Sequence, residues 1–149
     1  MLTIFIDADA SPVVNEVLTL RKKLNVNVIL VHSRSHMRRE KMPDDVKSII
    51  VEDGRDAADY EIAGRVTKGD IVITEDLGLT AIVLAKQAVV INSFGKKIDQ
   101  MQMDSLLEVR HAAQKMRRSG KNTKGPKKRR QQDQEQFIKG LREVVELLT

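Results

Sequence analysis

Apolar positions along this chain fall into two alternating patterns, short continuous runs and stretches with helical spacing. Leu2 to Ile6 is an unbroken, partly β-branched run of the kind needed by a strand covered on both faces. Ser11-Pro12 follows; serine is a good N-cap and proline suits the first helical position, so a helix is predicted from there. Val13, Val17, Leu20 and Leu24 give that helix one apolar face. Val26 to Val31 predicts a second strand and Ser48 to Val51 a third. The stretch between them, His32 to Lys47, is polar and basic, and Met37 to Lys41 offers no more than a turn or two. After a turn at Asp53-Gly54, Ala57 to Val66 reads as a helix with Ile62 and Val66 on one face. Gly69-Asp70 leads into a fourth strand, Ile71 to Thr74, then a helix over Leu77 to Lys86 and a fifth strand over Ala88 to Ile91.

Strands alternating with helices through short connections predict an α/β fold with a mainly parallel sheet of about five strands. Two further helices are expected, one carrying Leu106, Val109, Ala113 and Met116, the other Phe137, Leu141, Val144 and Leu148. Between them, residues 115–130 hold nine basic residues and no acid, with two glycines and a proline, and read as a loop. The expected organisation is a single domain over 1–149, with an α/β core in 1–103 and C-terminal helices in 104–149.

Charge divides the chain unevenly. Residues 110–149 contain twelve Lys/Arg against four Asp/Glu, a balance of +8, while the preceding 109 residues stand at −3, giving the net +5. A mildly acidic body with a basic tail points to an anionic partner, nucleic acid first. With Tyr60, Phe5, Phe94 and Phe137 the only aromatics, contacts should be dominated by phosphates, RNA or another single strand being the natural candidate. Cysteine is absent, which excludes a disulfide scaffold, a thiolate zinc site and a cysteine nucleophile. The opening run meets Asp7 too early for a signal peptide, so a cytoplasmic protein is expected. No apolar run approaches a membrane span, so a membrane is not an expected partner, and self-association into a homodimer stays open.

The acids are the more specific signal. The first strand ends in Asp7-Ala-Asp9, the helix after strand three begins Asp56-Ala-Ala-Asp59, and the fourth strand ends in Glu75-Asp76. In a parallel sheet all of these fall at the carboxyl edge, where open α/β folds bind ligands. Carboxylates so placed repel one another unless a cation sits among them, and an oxygen-only donor set suits Mg²⁺ or Mn²⁺. On a helical wheel Asp59 lies beside Ile62 and Val66, at the margin of the buried face, where a carboxylate needs a partner. Each acid also has a plainer reading. Asp9 suits a turn, Asp56 the positive end of a helix dipole, Asp76 an N-cap, and Glu75 can face either way. Asp53 and Asp44-Asp45 read as turn chemistry, and His32, His36 and His111 as surface or loop histidines.

Asp7-Ala-Asp-Ala-Ser-Pro12, Gly54-Arg-Asp-Ala-Ala-Asp59 and Gly69-Asp-Ile-Val-Ile-Thr74 with Asp76 resemble the YaiI/YqxD family of bacterial proteins, thought to be related to PIN-like nuclease domains. The similarity continues through Gly125-Pro126, Asp133, Phe137 and Leu141; Ser11 stands where many members carry cysteine, and Gln134 where an arginine is usual. The resemblance implies a PIN-like three-layer α/β/α fold with a metal pocket of Asp7, Asp9, Asp56, Asp59 and Asp76. By analogy with PIN-like nucleases, Asp7, Asp59 and Asp76 would be the catalytic acids of a metal-dependent ribonuclease or phosphodiesterase. Asp7 and Asp59 would be the direct ligands, and Ser11 and Thr74 would hold a water or a phosphate oxygen.

Basic residues would supply the other half of a nucleic-acid site. Arg34, Arg38, Arg39 and Lys41 follow strand two at the carboxyl edge, and Arg117, Arg118, Lys121, Lys124, Lys127, Lys128, Arg129 and Arg130 lie in the basic run. Two other functions fit the same sequence. One is a non-catalytic nucleic-acid-binding or regulatory protein on a PIN-like scaffold. The other is a phosphatase of the haloacid-dehalogenase type, whose opening Phe5-Ile-Asp7-Ala-Asp9 matches, with Asp7 as nucleophile and Asp9 as general acid, although the lysine it needs has no convincing position.

Overall fold

The computed structural model describes residues 1–36, 42–54, 56–120 and 128–149. Its strands are β1 (Leu2–Asp7), β2 (Val26–Ser33), β3 (Val46–Val51), β4 (Ile71–Ile73), β5 (Val89–Ile91) and β6 (Lys97–Ile98). Its helices are α1 (Val14–Leu24), α2 (Ala57–Arg65), α3 (Leu77–Ala85), α4 (Gln100–Arg118) and α5 (Gln131–Leu148), with a 3-10 turn at Arg34–His36 after β2. The strands form one sheet in the order β3-β2-β1-β4-β5-β6, parallel except for the β5–β6 pair. The predicted α/β class and mainly parallel sheet are therefore present, with β6 added at one edge.

Helices cover both faces. Ile4 and Ile6 of β1 pack in one core with α1 and with Phe137, Leu141, Val144 and Val145 of α5. Phe5, between them, joins the opposite core with Ile62 of α2, Leu79 and Val83 of α3, and Met103 of α4. The two-residue alternation of a strand therefore directs Asp7, like Phe5, to the α2–α3 face. Phe137 and Leu141 are fully buried, each worth roughly 1.5–3 kcal/mol relative to exposure. Leu148, expected on the same stripe, is exposed at the end of the helix.

Three local expectations change. Ser11 does not cap α1: the helix starts at Val14, and the Ser11 hydroxyl accepts the Val13 N–H at 3.3 Å, closing a turn ahead of it. The boundary at residue 104 and the loop from 115 also move, because α4 begins at Gln100 behind an Asp99–Gln102 capping box and runs to Arg118. Met37 to Lys41 lies outside the described residues.

The apolar stripe of α4 faces solvent, with Leu106 42%, Val109 68% and Met116 44% exposed, while Met103 in the first turn is buried. Helical periodicity reveals which side of a helix is apolar, not whether the body reaches it. The β5–β6 connection, by contrast, is clamped. Gly95 has a positive φ of 82°, and its backbone lies so close to Gly140 of α5 that a Cβ on Gly140 would stand 2.0 Å from the Gly95 carbonyl oxygen.

Candidate metal centre

β1 pairs with β2 on one side and β4 on the other, so chain connections depart in opposite directions from the β1–β4 boundary. Such a switch point leaves a crevice at the carboxyl ends of the strands. A cleft of about 560 Å³ lies there, and Asp7, Asp9, Asp56, Asp59, Glu75 and Asp76 all line it, with Ser11 and Thr74. The three acidic stretches are thus brought to one place.

Their arrangement within the cleft is uneven. Asp56, Asp59 and Asp76 each offer a carboxylate oxygen within 4.8 Å of the others. Oδ1 of Asp59 is sheltered from solvent and has no hydrogen-bond donor among the described residues. The Asp59 carboxyl is pushed up to about 6, first by burial, then by the charges of Asp76, Asp7 and Asp56. Asp7 is raised too, by burial and then by Asp9, with Asp76 adding to it, while backbone N–H groups act in the opposite sense. It stands beside the tight trio rather than within it.

Local backbone explains these positions. Asp56 occupies the N-cap of α2 with a left-handed φ of 65° and makes no capping hydrogen bond. Aspartate tolerates that conformation better than most residues, and here it leaves the carboxylate uncommitted to the helix. Asp76 does cap its helix, Oδ1 accepting the Leu79 N–H at 2.7 Å, which still leaves the second oxygen. The N-cap reading of Asp76 therefore holds, and the cap uses one of its two carboxylate oxygens. Its own N–H donates to the Thr74 hydroxyl at 3.0 Å, so Thr74 orients the Asp76 backbone.

Other acids are otherwise engaged. Asp9 Oδ2 accepts the Ser33 N–H at 2.9 Å, tying the β1 loop to the end of β2. Glu75 points toward β5, accepting from the Ser93 N–H at 2.6 Å and from the Ser93 hydroxyl. Asp53 accepts the Ser35 N–H, and Asp45 forms a forked pair with Arg21 at 2.8 and 3.0 Å. Ser93 is a cleft residue that sequence reasoning missed, although the same carboxyl-edge rule applied to β5 points to it.

The model of the family described as "Uncharacterized BCR, YaiI/YqxD family" matches residues 5–147. The chain belongs to this family. A UPF0178 protein of Bacillus cereus is 37% identical over 146 residues, covering 98% of this chain and all of the relative. One of Enterococcus faecalis is 37% identical over 97% of both chains. One of Bacillus velezensis is 36% identical over 143 residues, 96% of this chain and 84% of the relative. No solved structure matches the chain.

The basic residues behave individually. Arg34 is paired with Glu52 on the surface at 2.8 Å, and exposed pairs of this kind are weak, so a competing anion can displace one at small cost. Arg117 and Arg118 are exposed on the last turn of α4, and Lys128 is exposed ahead of α5. Arg130 occupies the N-cap of α5, where its N–H donates to Asp133 at 2.8 Å and lowers that carboxyl. The Arg129 guanidinium instead lies over the Phe94 ring, 5.3 Å from its centroid. Arg38, Arg39, Lys41, Lys121, Lys124 and Lys127 fall outside the described residues. Among the described residues no helix is long and apolar enough to cross a membrane.

Proposed function

We propose that this protein is a divalent-metal-dependent phosphodiesterase acting on RNA or another single-stranded nucleic acid. The observation that carries the reading is the Asp56–Asp59–Asp76 trio, with a sheltered Asp59 oxygen that no donor among the described residues satisfies. Stripping water from a carboxylate oxygen and surrounding it with like charges is costly, and a hard cation removes that cost. Mg²⁺ or Mn²⁺ fits an all-oxygen donor set, with Asp56, Asp59 and Asp76 holding it and Asp7 and Asp9 beside it. Such an ion supplies Lewis-acid stabilisation of phosphoryl oxygens and lowers the pKa of water.

The chain's own residues do the rest. Thr74 fixes the Asp76 backbone, and Glu75, anchored on Ser93, holds the β4 and β5 ends together. Ser11, on the cleft wall, has a hydroxyl proton available to a phosphate oxygen. Arg34, Arg117, Arg118 and Lys128 offer charge to the flanking backbone of a strand. The phosphatase alternative finds little support, because no lysine lines the cleft among the described residues.

The reading is tested by cleavage of a labelled single-stranded RNA with and without Mn²⁺, alongside thermal melting in each ion. Metal-dependent cleavage and a raised melting temperature are expected; millimolar Mg²⁺ or Mn²⁺ changing neither would contradict it. Salt-sensitive RNA binding that survives Asp7→Asn, with no cleavage by the wild type, would favour the non-catalytic binding protein instead.

A pH dependence follows. Burial and the neighbouring acids push the Asp59 carboxyl up to about 6 in the folded metal-free protein, against about 3.9 in an unfolded chain. The folded state therefore holds more protons between those values, so the stability contributed by this group is complete below about pH 4 and is lost as pH rises through 6. Metal-free melting temperature is expected to fall across that window, relative to Asp59→Asn, and Mn²⁺ to restore it above pH 6. A wild type that tracks the asparagine variant throughout would contradict the buried charge cluster.

A further inference from the structure

Beside the acidic cleft the structure holds a second arrangement that the metal chemistry does not use. Ser93 lines the cleft, and the next residue, Phe94, is 42% exposed. One exposed apolar side chain is ordinary by itself. The way this one is held is not. Asn92 Oδ1 accepts the N–H groups of both Phe94 and Lys96, at 2.9 and 3.0 Å, and the Asn92 carbonyl accepts the Gly95 N–H at 3.1 Å. Gly95 is in turn pressed against the α5 backbone, where a Cβ would stand 2.6 Å from the Gln136 carbonyl oxygen. The ring thus projects from a turn with little freedom to move.

Arg129 covers one side of that ring and is itself fixed. Its Nε donates to Gln134 Oε1 at 2.7 Å, and Gln134 Nε2 donates to Glu16 Oε1 at 2.8 Å. Both terminal nitrogens of Arg129 are sheltered and have no hydrogen-bond partner among the described residues. A guanidinium carries five N–H donors in a fork that matches phosphate, and here only the Nε–H is committed. A rigid aromatic face takes an unstacked base, and a guanidinium with unused donors takes a phosphate: these are the two ends of one nucleotide.

Resting on the phosphodiesterase reading, we propose that Phe94 and Arg129 form a nucleotide subsite for a single-stranded nucleic acid whose neighbouring phosphate enters the acidic cleft. The base stacks on Phe94, and a phosphate oxygen meets the terminal nitrogens of Arg129 once binding displaces the atoms that shelter them. A duplex, whose bases are already stacked and paired, is a poor ligand for this subsite.

The test uses the whole 149-residue chain in chelator, which stops metal-dependent cleavage, and an eight-nucleotide RNA carrying 2-aminopurine. Wild type is expected to bind the RNA and quench the 2-aminopurine emission. Phe94→Ala and the ring-less but bulky Phe94→Leu are expected to lose the quenching and weaken binding by about five-fold to a hundredfold, while Phe94→Trp retains both. Arg129→Gln is expected to flatten the salt dependence of binding by about 0.7 in slope, one phosphate's worth. If RNA is bound, or is cleaved once Mn²⁺ is added, and Phe94→Ala and Arg129→Gln change neither quenching, affinity nor salt slope, the subsite is overturned and the phosphodiesterase reading stands. If no oligonucleotide is bound or cleaved under either condition, both fall.

Discussion

Asp59→Asn is expected to reduce metal-dependent cleavage at least about 100-fold, since losing even an outer-shell partner of a metal ligand costs 10–100-fold. The same change is expected to raise the melting temperature of the metal-free protein at pH 7. Asp59 stands half-buried among Asp7, Asp56 and Asp76, its carboxyl pushed up to about 6. Asparagine keeps the size, removes the charge, and offers an N–H₂ group to Asp76 where a second carboxylate offers only an acceptor. The stabilisation by Mn²⁺ expected of the wild type should therefore be lost in the variant. These opposite movements separate a functional charge from a structural one. An acid placed there for folding would destabilise the protein when neutralised, and that result, with cleavage intact, would contradict the assignment.

Gly140→Ala is expected to be the more damaging kind of change for the fold. In an ordinary helix interior this substitution stabilises by roughly 0.5–1 kcal/mol through backbone entropy. Here the added methyl would meet the Gly95 carbonyl oxygen at 2.0 Å and its Cα at 2.7 Å, both backbone atoms of a turn already braced by Asn92. Overpacking of this sort typically costs about 1–3 kcal/mol, and a clash with backbone belongs at the upper end. At roughly 2–4 °C per kcal/mol for a chain of this size, the melting temperature should fall by about 4–10 °C. A scanning calorimetry trace unchanged or shifted upward would mean that the β5–β6 turn is not clamped to α5. Phe94 would then lack the rigidity ascribed to it.

Much of this architecture is legible from residue spacing because its causes are local. The β1 run and the Val13–Leu24 stripe fold as their patterns imply, and the helical wheel places Asp59 at the margin of the α2 core. Features that depend on a neighbouring element were not accessible in the same way. Parallel pairing sets Asp7 opposite Val31, so Asp9, two residues on, meets the Ser33 N–H, a partner that no property of the β1 segment announces. The two-residue β6 is too short for any periodicity. The α4 stripe is amphipathic enough to predict a helix, yet its outer half projects past the surface that would cover it. Asp56 was legible as a helix-start acid, but neither its left-handed backbone nor its closeness to Asp59 and Asp76 is announced by its own segment. Arg129 read as one charge in a basic run; its place over the Phe94 ring depends on a residue far away in sequence.

Crystals soaked in Mn²⁺ and measured for anomalous scattering examine the acid trio directly. The account predicts one peak or more at direct-ligand distance, about 2.0–2.2 Å, from oxygens of Asp56, Asp59 and Asp76, lost in Asp59→Asn. A cleft without a peak at millimolar Mn²⁺, its carboxylates turned to solvent or each matched by a lysine or arginine, would contradict it.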